Sequence, residues 1–557
     1  MYESRPYMKS PSGCQDKLPG SLRFPGASLR GGRPVKAWRP HAEVPAEEGQ
    51  RRDAEAVVKG SLVNILGKFG RLSKSLYYLV ITRFEGAEVL GLYTLGWSLI
   101  DLFSKFGLFG LDRGVIRFVS QRHSDGDVEG AHRVIGQALA LGLIASLFAT
   151  AGVWVAAPWV AASVFHQPAL SPVARILALA IPFLVVSLIL LSALRAVRIM
   201  KFDVYVKSIA EPFVLLVTAV ALCALGWTVP GLAFAYLTAS AGGMIFSARF
   251  FSRIFSPSRC ISGMAGSPLR SPIAVFSTPI LFDDALSVLM SRLGLFVLAM
   301  FLPVASVGVY AATAGVAEVV KNIRQAVDPI FAPVASGLAH KKERGRLAAL
   351  FSSVTRWVLV LDLAFLMGVG LWGEAILSAF GPAFAAGFWG LVLLTFGHAV
   401  SGVFGFAETI LLAAGRSGLN LLNTVFFGVV SVGLHLLLIP RYGVSGAALA
   451  TALSLTFINF LRVAEVGVLL DIHPFRRSLL KPVVAAALAF AAGLSLLSLG
   501  SPWSYLSALS LPLYFGLLGA FGVEAEDREV LERLRHRVPF LRAEARSPIA
   551  PYNRAAS

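Results

Sequence analysis

An all-α protein threaded repeatedly through a membrane, with about fourteen transmembrane helices in two six-helix repeats plus a C-terminal helix pair, is the fold class this sequence predicts. Three observations predict it. Of 557 residues, 56% are hydrophobic and only 15% charged, against roughly 25% charged in a soluble chain. The apolar residues recur in blocks of about 18 to 25, the length an α-helix needs to cross a hydrocarbon core. The basic residues leave a formal net charge of +18, yet they fall in short segments between apolar blocks. That is the topology signal of a membrane protein, and it speaks against a nucleic-acid partner, which would need a basic patch among aromatics.

Residues 1–57 are rich in Pro, Gly, Arg and Ser and hold no apolar run able to act as a signal-peptide core. Their composition predicts a disordered basic tail. Apolar blocks bounded by Pro, Gly and charge clusters place helices near 60–82, 89–110, 134–157, 173–194, 208–226 and 230–251, a six-helix bundle over 58–255. A linker at 256–275 leads to a second bundle over 276–467, with helices near 276–302, 307–332, 353–377, 387–413, 418–439 and 443–467. An extra pair near 478–499 and 503–522 occupies 468–523. In the tail at 524–557, Val530, Leu531, Leu534 and Val538 mark one apolar side of a short amphipathic helix. Cys14, Cys223 and Cys260 have neither metal-ligand nor disulfide-framework spacing, and neither a metal site nor a cofactor is expected.

Lys and Arg favour the cytoplasmic side. The N-terminal tail, Arg113 to Arg133, Arg195 to Lys207, Arg249 to Arg270, Lys341 to Arg356, Arg416 and Arg462 to Lys481 supply basic connections, and the alternate connections hold few or no basic residues. Both termini are therefore expected in the cytoplasm of a multi-pass protein of the cell membrane, which requires an even number of crossings. The two bundles also resemble each other. The segment from Gly91 matches that from Gly308 at a register of 217 residues, so that Tyr93 falls on Tyr310 and Asp101 on Glu318. Segments from Ser192 and Leu411, and from Val229 and Val444, match at nearly the same offset. Six helices per unit give both copies one orientation, with the repeat axis along the membrane normal.

Ionisable residues at membrane depth cost roughly 2.5 to 3.5 kcal/mol each on insertion scales and mark function or partnership. Lys68, Arg71 and Lys74 are spaced three apart, on one face of helix 1. They either line a wet cavity or snorkel to cytoplasmic headgroups. Asp101 and Lys105 stand at i, i+4, where opposite charges meet. Glu318, Lys321, Arg324 and Asp328 share one half of helix 8, and helix 7 carries Asp283, Asp284 and Arg292. For Asp101 with Lys105, and Glu318 with Lys321, a structural bridge and a substrate or ion contact both remain open. Arg113 and Arg117 read as topology determinants, His398 and His435 as packed residues, and Asp362 and Glu408 as isolated acids with potential for ion coupling.

The segments GLYTLGWSLIDLFSKFGLFGLDRGVIRFVS ending at Ser120, AAGRSGLNLLN at Ala413 to Asn423 and PRYGVSGAALATALS at Pro440 to Ser454 resemble the superfamily of multidrug and toxin extrusion proteins, lipid II flippases and Wzx-type polysaccharide flippases. The polysaccharide branch is the nearest in pattern. The resemblance implies paired bundles around a central cavity, and no enzyme. Its implied cargo is a polyprenyl-pyrophosphate-linked oligosaccharide, with membrane lipids, a polysaccharide polymerase and glycosyltransferases as possible partners. Under that reading Lys68, Arg71, Lys74, Lys105, Arg292, Lys321 and Arg324 bind substrate, while Asp101, Asp283, Asp284 and Glu318 serve structure or ion coupling. A cation-coupled multidrug exporter is the alternative, disfavoured by the cations of helix 1. A membrane-embedded polymerase or glycosyltransferase would be expected to carry a sizeable external loop or catalytic domain, whereas the external connections here are very short.

Overall fold

The computed structural model describes residues 46–264, 271–500 and 503–522, with the backbone alone at 46–76 and 503–504. All lie within one unit, Glu43–Ser557. Most of the tail predicted over 1–57, and the whole of 524–557 with its amphipathic helix, lie outside the described residues.

Helices α1 (Ala46–Leu108), α2 (Leu111–Ser124), α3 (Val128–Trp159), α4 (Leu170–Ala178), α5 (Ile181–Ala196), α6 (Lys201–Val204), α7 (Glu211–Ala224) and α8 (Val229–Phe251) make the first half. The short α9 (Pro257–Gly263) precedes the second half. That half contains α10 (Pro272–Phe301), α11 (Val304–His340), α12 (Arg344–Ser378), α13 (Phe388–Phe404), α14 (Phe406–Ala413) and α15 (Ser417–Leu470). A final pair follows, α16 (Leu480–Ser498) and α17 (Ser510–Ala520). No strand occurs among the described residues.

Among the described residues, ten helical segments are long and apolar enough to cross a membrane. At 54 residues α15 is too long for one crossing, and it reverses at Gly443 (φ 57°, ψ −130°). Likewise α1 reverses at Gly86 (φ 82°, ψ −172°), a conformation open to glycine because it lacks a Cβ. The second arm of α15, the two arms of α1 and the short apolar helix Tyr505–Ala520 complete the fourteen that the sequence predicts. The first arm of α1 reaches back to Ala46, into the segment that composition assigns to a tail. It begins directly after Pro45 with the helix formers Ala46, Glu47 and Glu48.

The connections alternate between two ends. At one end lie Gly86, Leu302–Pro303 and Gly443; at the other lie the Arg- and Lys-rich turns around α2, α9 and Lys341–Arg344. The second is called the basic end. There the repeats differ. The chain breaks at Phe109 (φ 55°) and Gly110 (φ 66°) to make α2 a separate helix, whereas α11 runs on without a break to His340.

The helices pack in two sets: the second arm of α1 with α2, α3, α4, α5, α7 and α8 in the first, and α10 to α15 in the second, with α16 and α17 laid against α12. The Tyr514 hydroxyl donates to the Val360 carbonyl at 3.0 Å. The second arm of α1 joins the sets by packing on α10 and α11. Its closest approach is at the repeat-related pair. A Cβ built on Gly91 would fall on the Val304 carbonyl oxygen, and one on Gly308 would fall on the Ala87 carbonyl oxygen. A residue near a two-fold axis meets its own image, so this reciprocal contact is what the register of the repeat demands. Close backbone approach at small residues is also how helices gain dispersion contact where lipid removes the hydrophobic drive.

Replacing Gly91 by Leu is expected to destabilise the purified protein by about 1–3 kcal/mol, the usual range for overpacking, or to push the two sets apart. Gly337→Ala is the control, since a Cβ there meets nothing within 4 Å. Thermal unfolding of both variants in detergent checks the difference.

Candidate functional site

Asp101, on the second arm of α1, meets Arg292 of α10 across the two sets, with Nη2 to Oδ2 at 3.4 Å. The side chains are 24% and 21% exposed respectively, so the pair is reachable from outside the packed helices. The i, i+4 spacing offers Asp101 to Lys105, but the structure gives it to Arg292, because α10 crosses α1 at that level. The Arg292 guanidinium lies 4.7 Å over the ring of Trp97, a cation–π arrangement. Trp97 stands one turn before Asp101 and so shares its face. Its indole N–H donates to the Tyr236 hydroxyl of α8, which anchors the platform in the first set.

Toward the basic end a second tie joins the same two helices' neighbourhoods. Arg113 of α2 donates to Asp284 at 2.7 Å and lies 3.7 Å from Asp283. Arg117 covers the Phe276 ring at 4.5 Å. The Ser277 hydroxyl donates to the Gly110 carbonyl at 3.2 Å. Gly110 and Gly114 make room for α10, since a Cβ at either would press on Ser277 and its neighbours. Arg113, which the sequence marks only as a topology determinant, therefore also links the sets.

Arg324 is held by carboxylates within the second set. Its Nε lies 3.2 Å from Asp328 and its Nη2 lies 3.7 Å from Glu408. Gly405 leaves the space that its guanidinium occupies. Glu408 in turn accepts from Arg462 at 2.9 Å, and Asn423 donates to Glu465 at 2.6 Å. This network ties α11, α14 and the second arm of α15. It places Glu408 in an ion-pair cluster, where the sequence suggests an isolated acid.

Glu318, the repeat image of Asp101, is half-buried, and Lys321 is exposed. Lys105, Glu318 and Lys321 make no ion pair among the described residues. Lys105 and Lys321 lie on the two helices that touch at Gly91 and Gly308, each about four turns further toward the basic end. Lys68, Arg71 and Lys74 fall on the first arm of α1, and their side chains lie outside the described residues. His435 is packed as expected for a buried imidazole. One ring nitrogen meets the Ser431 carbonyl at 2.7 Å and the other meets the Thr451 hydroxyl at 3.2 Å. Asp362 is fully buried beside Gly402, and its oxygens have no hydrogen-bond partner among the described residues.

Sequence reasoning missed Trp97, Tyr236 and the Glu408–Arg462 contact. The first carries a local signal in its i, i+4 spacing from Asp101. The others pair residues far apart in the chain, for which a single sequence offers no cue.

Removing one partner of a buried ion pair leaves an uncompensated charge. Glu408→Gln is therefore expected to cost about 1–3 kcal/mol, since the Arg462 side chain is 10% exposed and that of Glu408 31%. Arg346→Ala breaks an exposed pair with Glu343 and is expected to stay within about 1 kcal/mol. Thermal unfolding of the two variants side by side checks the contrast.

The residues 80–383 match the model of a family described as polysaccharide biosynthesis protein. Among curated proteins none matches the sequence. Among solved structures, the lipid II flippase MurJ in an inward closed conformation aligns with TM-score 0.65 at 11% identity, covering 83% of this chain and 98% of that one. A multidrug resistance MATE family transporter of the MOP superfamily, in its inward-facing conformation, aligns with TM-score 0.60 at 14% identity, covering 72% and 94%. A MOP superfamily transporter from Pyrococcus furiosus aligns with TM-score 0.54 at 16% identity, covering 75% and 95%. At such identities the likeness is one of fold. The chain belongs to the polysaccharide biosynthesis protein family, and it has the membrane fold shared by MATE transporters and the lipid II flippase.

Proposed function

We propose that the chain flips a polyprenyl-diphosphate-linked oligosaccharide across the cytoplasmic membrane, with the basic end and both termini in the cytoplasm. The two helix sets rock against each other in alternating access around a roughly fixed site. The observation that carries this reading is positive charge without a close ion pair. Lys105 and Lys321, on the two helices that touch at Gly91 and Gly308, make no ion pair among the described residues, and Arg292 holds Asp101 through one long contact. A diphosphate suits such groups, because Arg presents a planar fork of donors and Lys a compact charge. The attraction strengthens where water is scarce. The cations of helix 1, Lys68, Arg71 and Lys74, add to the same sign. The sugar occupies the aqueous space between the sets while the polyprenyl tail stays in lipid. Family membership supports the sugar, and the fold shared with the lipid II flippase supports the lipid carrier. Glycosyltransferases that build the substrate and a polymerase that uses it are the partners this role requires.

A cation-coupled multidrug exporter is the second reading, favoured by Glu318 and Asp362, acids without an ion-pair partner among the described residues. It needs a net negative site, which the surrounding cations oppose.

In proteoliposomes loaded with a fluorescent polyprenyl-diphosphate oligosaccharide, the protein is expected to speed transbilayer movement. Lys321→Ala and Arg71→Ala are each expected to slow it at least tenfold while both variants still insert in the membrane. Wild-type rates in both variants, or efflux of an organic cation in place of lipid movement, would remove the anion site.

A further inference from the structure

Arg292 holds its carboxylate more loosely than the other cross-set or buried arginines in the ion pairs described above, each of which has at least one contact of 3.2 Å or less. Arg113 reaches Asp284 at 2.7 Å and Arg462 reaches Glu408 at 2.9 Å, distances normal for charge-assisted bonds. Arg292 reaches Asp101 only at 3.4 Å. Its Nε is buried and has no hydrogen-bond partner among the described residues. A guanidinium offers five N–H donors, and the one ion pair of Arg292 among the described residues is the long contact to Asp101. The group nevertheless has a second anchor, because its Cζ lies 4.7 Å from the centre of the Trp97 ring and Trp97 is itself held by Tyr236. Arg292 would keep its orientation if Asp101 withdrew.

Asp101 has somewhere to go. Lys105, four residues on along the same helix, makes no ion pair among the described residues, and i, i+4 is the spacing at which opposite charges meet. Asp101 thus stands between two cations, one on its own helix and one on the opposite set. The carboxylate oxygen of Asp101 that holds Arg292 is the sort of oxygen a phosphate presents, and the pair is reachable, at 24% and 21% exposure.

We propose that the diphosphate headgroup displaces Asp101 from Arg292, that Asp101 passes to Lys105, and that this exchange unties the two helix sets at mid-depth. The step rests on the flippase reading above and adds to it the coupling of cargo to motion. A carboxylate with one contact is replaced by an anion with several oxygens in the geometry of the guanidinium fork. No charge is left uncompensated, because Asp101 changes partner. Without cargo the tie holds and the sets stay together at Gly91 and Gly308. With cargo the set-to-set attraction is lost, so the cost of rocking falls only when a headgroup is aboard.

The test uses the full chain in lipid nanodiscs, with farnesyl diphosphate as probe, farnesol as its uncharged control and inorganic pyrophosphate as competitor. Binding is read by Trp fluorescence. Set separation is read by electron-spin distance measurement between labels replacing exposed Leu225 and Tyr442. Farnesyl diphosphate is expected to populate a longer distance, pyrophosphate to compete with it, and farnesol to do neither. Asp101→Asn is expected to show the longer distance without ligand and to bind farnesyl diphosphate about threefold or more tighter. Arg292→Gln is expected to show it without ligand and to bind at least tenfold weaker. If Arg292→Gln does not elute as a single species, Arg292→Lys keeps the charge without the fork and is expected to bind several-fold weaker. Lys105→Ala is expected to weaken binding, and adding Asp101→Asn to it is expected to restore the affinity, a rescue that a merely structural lysine would not give. Unchanged or weaker binding in Asp101→Asn, unchanged binding in the Arg292 variants, or equal binding of farnesol overturns the exchange. Failure of the wild type to bind farnesyl diphosphate at all removes the flippase reading itself, and the exchange with it.

Discussion

Hydrocarbon supplies neither hydrogen bonds nor counter-ions. Each backbone amide must therefore close a helix, and each charge at membrane depth must find a partner, reach the headgroups or serve the cargo. The alternation of apolar blocks with basic turns, the glycine reversals at Gly86 and Gly443 and the sparse, paired charges between helices are consequences of that one constraint. It also makes ion pairs informative. Arg324 and Arg462 are matched by Asp328 and Glu408 within the second set, whereas Lys105 and Lys321 make no ion pair among the described residues.

The contact at Gly91 and Gly308 shows how the repeat becomes architecture. Two helices can approach most closely where both lack a Cβ, and here the approach is reciprocal, Gly91 against Val304 and Gly308 against Ala87. From there the same two helices carry Asp101 and Glu318 at equivalent positions, but only Asp101 has an ion-pair partner among the described residues. The first repeat breaks into α2 at Phe109 and Gly110, and α2 brings Arg113 to Asp284; the second repeat runs straight through. The two halves are thus unequal at the basic end.

Much of the fold was legible in the sequence, because length and hydropathy of a block decide a membrane crossing with little help from tertiary context. The reversals were legible as gaps between apolar blocks, one containing Gly86 and one, Pro440 to Tyr442, ending just before Gly443, and the repeat as matched segments around Gly91 and Gly308. The start of α1 at Ala46 was not, since a tail composition outweighed a short helix-forming stretch after Pro45. Pairings were the least legible. The local spacing offered Asp101 to Lys105, but Arg292, brought in by α10 from 191 residues away, takes it. Glu408 looked isolated because Arg462 is 54 residues distant. Local spacing is visible in one sequence, and helix crossing is not.

The most direct test of a cationic centre that receives an anionic headgroup is a cryo-electron microscopy map of the chain in nanodiscs with a polyprenyl-diphosphate oligosaccharide. The expected map places the two phosphates between the helix sets, within hydrogen-bonding reach of Arg292, with Asp101 turned toward Lys105. Phosphates lying at the headgroup level outside the sets, with Asp101 still on Arg292, would contradict it.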